Sequence, residues 1–225
     1  MAHIGYSWPT FDRLTQQVIK TIKPKRILDI GAGGGKYGAL LKDVVPDCEI
    51  TALECDEAAF PQLRDIGYHK ILPITADKLY ERGSDLYDTI ILGDVIEHML
   101  HSDGRDLLEF LVYRTRYLIV STPECMPMSR PVFFEGHNSV WRPDSFAWHD
   151  YWAHQQCGIM HFYLLRGNDD WNAPTLLDVV QDANTAGIHN WFSDEKQMPV
   201  NLVIHDSRYA QPNGHNSGVT YFRPL

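Results

Sequence analysis

The sequence predicts an open, mostly parallel α/β sheet with helices on both faces. Three observations carry this. Apolar runs alternate with helix-compatible segments five times between residues 26 and 121. The first run, Arg26–Ile30, breaks into four glycines within five positions: Gly31, Gly33, Gly34 and Gly35. The acids Glu54, Asp77, Asp94 and Glu97 follow expected strands at their carboxyl ends, where such sheets hold ligands.

Residues 8–23 place Phe11, Leu14, Val18 and Ile22 at helical spacing, and Pro24 ends the segment. A strand over 26–30, a helix over 37–43 and a strand over 49–53 follow. A helix over 57–66, stopped by Gly67, leads to a strand over 70–74. Residues 87–92 (YDTIIL) read as a fourth strand. Ser102-Asp103 is placed to cap a helix running to about Thr115, and Tyr117–Ser121 is a fifth strand stopped by Pro123. The stretch 123–138, with Pro123, Pro127, Pro131 and Gly136, is long for a structureless connection and suits a lid or substrate wall. A helix over 143–156 ended by Gly158, a strand over 159–165, a helix over 175–186 and a final strand over 200–205 complete the count. Residues 207–218, rich in Ser, Asn, Gly and Pro, read as a loop. The expected organisation is one domain, with an N-terminal helix in 1–25, a core over 26–165 and a C-terminal part over 166–225.

Composition bounds the partners. The 225 residues are 44% hydrophobic and carry a formal charge of −9, which suits one full core and argues against an extended nucleic acid, whose phosphates need a basic face. Cys48, Cys55, Cys125 and Cys157 show no C-x-x-C spacing and read as reduced, mostly buried thiols of a cytoplasmic protein. Residues 1–25 lack the apolar core of a signal peptide, and no run approaches the ~18–20 apolar residues of a membrane helix.

The glycine loop is the chemical centre. A side chain there would keep the main chain from closing on a ligand, and the following helix start offers unpaired N–H groups. A P-loop is excluded, because Tyr37 follows Lys36 and Ile30 stands where its first Gly should be. A dinucleotide register can be placed at Gly33, Gly35 and Gly38, but it begins two residues too late for the strand.

The remaining register, Leu28-Asp29-Ile30-Gly31-x-Gly33-x-Gly35, resembles motif I of the class I S-adenosylmethionine-dependent methyltransferases. That resemblance implies a Rossmann-like, seven-stranded sheet with one strand inserted antiparallel, a place the segment 200–205 is expected to fill. It implies S-adenosylmethionine on Asp29, Gly31, Gly33 and Gly35. Glu54, 23 residues after Gly31, would hold the ribose diol, and Asp77 would meet the adenine amino group.

Asp94, Glu97 and His98 follow the fourth strand at i, i+3, i+4, which puts them on one face if the segment is helical. Two carboxylates and an imidazole suit a divalent cation. This run resembles metal-assisted methyltransferases of quinol intermediates and of small-RNA 3′ ends. HNSVWRPDSF, His137 to Phe146, resembles a further feature of the second group, which makes His137 a fourth ligand of Mg²⁺ or Mn²⁺. Asp94 departs from that group's Glu, and the acidic chain departs from its RNA-binding character. His98, Glu97 and His137 are the candidate catalytic residues, either through the ion or with a histidine as general base. The expected activity is O-methylation of a small-molecule or terminal-sugar hydroxyl. A nicotinamide-dependent oxidoreductase on a related fold, and a cofactor-binding module without catalysis, are the alternatives.

Overall fold

The computed structural model describes residues 7–82, 85–125, 127–130, 132, 135–169, 174–193 and 196–208. The expected loop over 207–218 lies outside them beyond residue 208, as does Pro131 of the 123–138 stretch.

The elements are α1 (Asp12–Ile22), β1 (Arg26–Ile30), α2 (Lys36–Leu41), β2 (Glu49–Leu53), α3 (Phe60–Ile66), β3 (Lys70–Leu72), β4 (Tyr87–Gly93), α4 (His101–Val112), β5 (Thr115–Pro123), β6 (Tyr151–Cys157), β7 (Met160–Arg166), α5 (Leu176–Thr185), β8 (His189–Ser193), β9 (Lys196–Pro199) and β10 (Val203–Asp206). One sheet has the order β10-β6-β7-β5-β4-β1-β2-β3, and β8–β9 form a separate hairpin. Strands β1 to β5 pair in parallel, while β7, β6 and β10 join by antiparallel pairing. The sheet is therefore mixed and mostly parallel as expected, with eight strands rather than seven.

Alternation along each strand feeds two cores. Ile27 of β1, with Tyr117 and Ile119 of β5, packs on the face holding Leu14, Val18 and Ile19 of α1, Leu41 of α2, Leu63 of α3 and Val179 of α5. Leu28 and Ile30, with Leu118 and Val120, face Leu107, Leu108 and Leu111 of α4, together with Trp141 and Phe146. Helix α1 stops where Lys23 turns left-handed at φ 51° ahead of Pro24. Helix α5 starts with a reciprocal cap, in which Asp178 N–H donates to Thr175 Oγ1 at 3.1 Å and Thr175 N–H donates to Asp178 Oδ2 at 3.1 Å.

Three expectations need correction. Residues 143–156 are not a helix: a 3-10 turn over Pro143–Phe146 is followed by strand β6. Gly158, expected to end that helix, sits at φ 62° in the two-residue turn joining β6 to β7. The antiparallel place beside β5 is taken by β7, not by the 200–205 segment, which forms edge strand β10 against β6. Helix α4 begins after Leu100, and neither Ser102 nor Asp103 caps it.

Candidate active site

The carboxyl ends of β1, β2 and β4 open into a cleft of about 460 Å³. Its floor is the glycine loop. Gly31 and Gly33 take φ of 67° and 50°, which bends the chain back after β1 as side-chain-bearing residues rarely can. Gly31 N–H is tied to Leu53 C=O at 2.9 Å, so the loop is seated on the end of β2. There Glu54 closes it: Oε2 accepts Gly33 N–H at 2.8 Å, and Oε1 accepts Asp56 N–H at 2.8 Å. An ionised carboxylate has about four lone-pair sites, so each oxygen keeps capacity for a ligand hydroxyl. Thr75, Ala76 and Asp77 form the far wall.

Asp29 and Gly35 stand behind the loop rather than in the cleft. The pleat turns Asp29 toward α2 and α3, where it accepts Tyr68 O–H at 2.5 Å, and the Tyr68 oxygen accepts Gly38 N–H at 2.8 Å. Burial pushes the Asp29 carboxyl up to about 7, against the pull of the Tyr68 hydrogen bond. At Gly35 a Cβ would come within 2.5 Å of Ile66 Cδ1 and 3.0 Å of Leu63 Cδ2, so this glycine lets α2 pack on α3. Neither Asp29 nor Gly35, both expected at the donor, lines the cleft; Asp29 holds Tyr68 and Gly35 lets α2 pack on α3. Lys36 is also spent on structure: it pairs with Asp12 at 2.6 Å and donates to the Trp8 carbonyl.

At the other end of the cleft lies the turn after β4. It is a single 3-10 turn, Ile96–His98, instead of a helix start. Segment 138–141 folds over it. Asn138 N–H and Ser139 N–H both donate to the Glu97 carbonyl, at 2.7 and 3.1 Å, and Trp141 Nε1–H donates to the Ile96 carbonyl at 3.2 Å. This clamp brings His137 beside His98, with ring centroids 5.0 Å apart. Glu97, His98 and His137 each place one ligand-type atom within 4.8 Å of the others. Asp94, also expected as a ligand, is not in this group. It adopts φ 54°, and its Oδ2 accepts Trp8 N–H at 2.7 Å.

Glu97 is 1% exposed; Oε2 accepts Thr122 O–H at 3.0 Å, and Oε1 is buried without a hydrogen-bond partner. Burial, reinforced by the charge of Asp94, pushes its carboxyl up to about 8. Burial likewise raises Asp94 to about 6. His98 Nδ1 lies 2.9 Å from the Gly136 carbonyl, and His137 Nδ1 lies 2.7 Å from Cys125 Sγ. An orphaned buried carboxylate oxygen beside two imidazoles is a donor set that a divalent cation would satisfy.

Several contributors escaped the sequence reading. Tyr68, Thr122 and Cys125 carried no pattern, and Ser7 and Trp8 lie outside every motif. Asn138 and Ser139 lay inside the quoted HNS run, and their offset from His137 was the available signal.

The overall fold is similar to that of solved structures. The plantazolicin methyltransferase BpumL, solved with a desmethyl-plantazolicin analog and SAH, aligns at TM-score 0.54 and 12% identity over 71% of this chain and 85% of that one. The chain has the class I methyltransferase fold. A SAM-dependent methyltransferase from Archaeoglobus fulgidus aligns at TM-score 0.53 and 13% identity over 69% of this chain and 94% of that one. An O-methyltransferase family protein from Burkholderia thailandensis aligns at TM-score 0.52 and 12% identity over 71% of this chain, but the match spans only 58% of that longer protein. No protein-family model and no curated protein matches the sequence. All four cysteines are free thiols, and among the described residues no helix is long and apolar enough to cross a membrane.

Proposed function

We propose that this chain is an S-adenosylmethionine-dependent methyltransferase acting on a hydroxyl of a small molecule or terminal sugar, with a divalent cation on Glu97, His98 and His137. One observation carries the reading: a single cleft joins the Gly31–Gly33–Glu54 cradle to the buried, unpartnered Glu97 Oε1. S-adenosylmethionine supplies a sulfonium-activated methyl group, and a divalent cation lowers the pKa of a bound hydroxyl and holds its oxygen in place.

The chain's own residues do the rest. Glu54 accepts hydrogen bonds from vicinal hydroxyls of the donor nucleoside, and Asp77, on the cleft wall, accepts from its adenine amino group. Gly31 and Gly33 let the main chain approach the donor. Glu97 turns its unpartnered oxygen to the acceptor end. The clamp from Asn138 and Ser139 fixes Glu97 and His98, and positioning of this kind is worth roughly 7–11 kcal/mol of barrier at best. With a cation held by the two rings, the lost acceptor proton would leave to solvent; an imidazole of His98 or His137 would take it only in place of the ion.

The dinucleotide alternative finds less support. In its register Gly35 and Gly38 meet Ile66 and Tyr68 side chains, so both serve helix packing and not a pyrophosphate. No Lys or Arg is among the described residues lining the cleft.

The test is transfer of a labelled methyl group to diol and catechol probes with Mg²⁺ or Mn²⁺. Glu97→Ala and His98→Ala should each lower turnover by about 10²-fold or more. Turnover unchanged in both variants would remove the proposed chemistry.

A further inference from the structure

We propose that Cys125 is the positioning residue for His137: its sulfur accepts from His137 Nδ1–H and leaves Nε2 bare toward the cation. The inference rests on the cation reading above. It concerns a side chain outside the group of three candidate ligands.

Each of the two imidazoles has one nitrogen engaged by the protein. His98 Nδ1 faces the Gly136 carbonyl, which can only accept, so neutral His98 carries its proton on Nδ1 and a lone pair on Nε2. His137 Nδ1 has the Cys125 sulfur as its partner. A thiol can weakly donate or weakly accept, so this contact allows two tautomers. If the thiol donates, the ring proton sits on Nε2 and blocks that atom from a cation. If the sulfur accepts, both rings offer a bare Nε2 beside the buried, unpartnered Glu97 Oε1. Only the second arrangement completes the donor set.

The main chain leaves the ring one freedom for Cys125 to remove. His137 N–H and C=O both pair with Met128, at 2.9 and 2.8 Å, and Asn138 N–H donates to the Glu97 carbonyl. The last torsion of a histidine is still two-fold, and a half-turn would put a ring carbon where Nε2 stands. Cys125 is itself held firmly through its neighbour. Glu124 N–H donates to the Ile159 carbonyl at 2.6 Å. The Glu124 carboxylate accepts from Arg142 Nε at 2.5 Å and meets His161 Nε2 at 3.0 Å. The sulfur is thus a fixed point, and the ring turns to it. Partners of this kind, behind a ligand, set its orientation and basicity.

Cys125→Ala and Cys125→Ser in the full chain test this, since the serine hydroxyl can replace sulfur as acceptor. With Mn²⁺ affinity read from the paramagnetic resonance of the free ion, the alanine variant should bind about ten-fold more weakly than native. The serine variant should stay within about three-fold. Nitrogen-15 spectra of the histidine rings in native protein loaded with Zn²⁺, a diamagnetic stand-in, should show His137 with its proton on Nδ1 and the ion on Nε2. Equal Mn²⁺ affinity of native protein and Cys125→Ala, both shown folded by thermal melting, would overturn the positioning role and leave the cation reading standing. Zn²⁺ on His137 Nδ1, or a thiolate charge-transfer band with Co²⁺ that makes Cys125 a ligand, would overturn it equally. No binding of Mn²⁺ by the native protein would overturn the cation reading and this inference with it. If Cys125→Ala does not fold, the ring spectra of the native protein decide.

Discussion

Thr122 Oγ1 donates to Glu97 Oε2 at 3.0 Å, which links the end of β5 to the turn after β4 and leaves Oε1 buried without a hydrogen-bond partner. One oxygen of a buried carboxylate is thus fixed by the protein and the other is left for a ligand. Thr122→Val removes the fixing bond at nearly constant shape. Mn²⁺ affinity, measured by the paramagnetic resonance of free ion, should fall about ten-fold, the usual cost of losing a group that orients a ligand. An unchanged affinity would mean that Glu97 does not ligate.

Trp141 acts on the same turn from below. Its Nε1–H donates to the Ile96 carbonyl and to Ser139 Oγ, at 3.2 and 2.8 Å, and the ring is fully buried. Trp141→Phe keeps most of the apolar bulk and loses both bonds. It should cost about 1–3 kcal/mol of stability from the lost hydrogen bonds and the smaller ring, read by urea denaturation, although the Ile96 carbonyl still accepts from Met99 N–H and Ser139 O–H. It should also loosen the Glu97–His98 turn, lowering methyl transfer more than donor affinity.

Asp29 predicts a pH dependence that has nothing to do with the reaction. Its carboxyl is raised from 3.8 to about 7, chiefly by burial. A carboxyl raised in the folded state contributes stability that is full below the unfolded pKa and is lost as pH rises through the folded one. Asp94 and Glu97, raised to about 6 and about 8, act in the same sense. The useful observable is therefore the difference between native protein and Asp29→Asn. The variant should gain melting temperature relative to native between about pH 4 and pH 7, with the difference levelling off above, and parallel curves would show that Asp29 is ionised at no cost.

Glu54 joins two roles that substitution can separate. Glu54→Gln retains an oxygen for Gly33 N–H and loses the charge and part of the acceptor capacity; Glu54→Ala loses both. Donor affinity should fall in both variants, by about ten-fold or more, whereas stability should fall by about 1–3 kcal/mol in the alanine variant, which loses both bonds, and by less in the glutamine variant, which loses only the acceptor for Asp56 N–H. Calorimetry and thermal melting on the same samples distinguish the two effects.

The first half of the fold was legible because each of its elements carries a mark. Leu14, Val18 and Ile22 recur at helical spacing, Gly67 ends α3, and the apolar runs of β1 and β4 are bounded by glycine or acid. Residues 151–157 were not legible. Trp152 packs with Phe146 and Tyr163 on one face of the sheet, while Ala153 and Cys157 pack on the other. With both faces covered, period-two alternation vanishes, and Gly158 in a hairpin turn looks like the glycine that ends a helix.

The site was legible where chemistry fixes residue type, as at Gly31, Gly33 and Glu54, or where spacing does, as at Glu97, His98 and His137. Asp29 illustrates the limit. Motif position made it an expected donor contact, and the pleat of β1 sends odd-numbered side chains away from the α4 face, so Asp29 lies outside the cleft lining and holds Tyr68, which accepts from Gly38 N–H of α2. Asp94 shows a second limit, since one positive φ turned its side chain from the expected ligand group to Trp8.

The central claim is that the cleft above Gly31, Gly33 and Glu54 holds a methyl donor. Calorimetric titration of the purified protein with S-adenosylhomocysteine, and separately with NADH, tests it most directly. Saturable binding of S-adenosylhomocysteine that is weakened by Glu54→Ala, with no binding of NADH, is the predicted result. Binding of NADH and none of S-adenosylhomocysteine would contradict it.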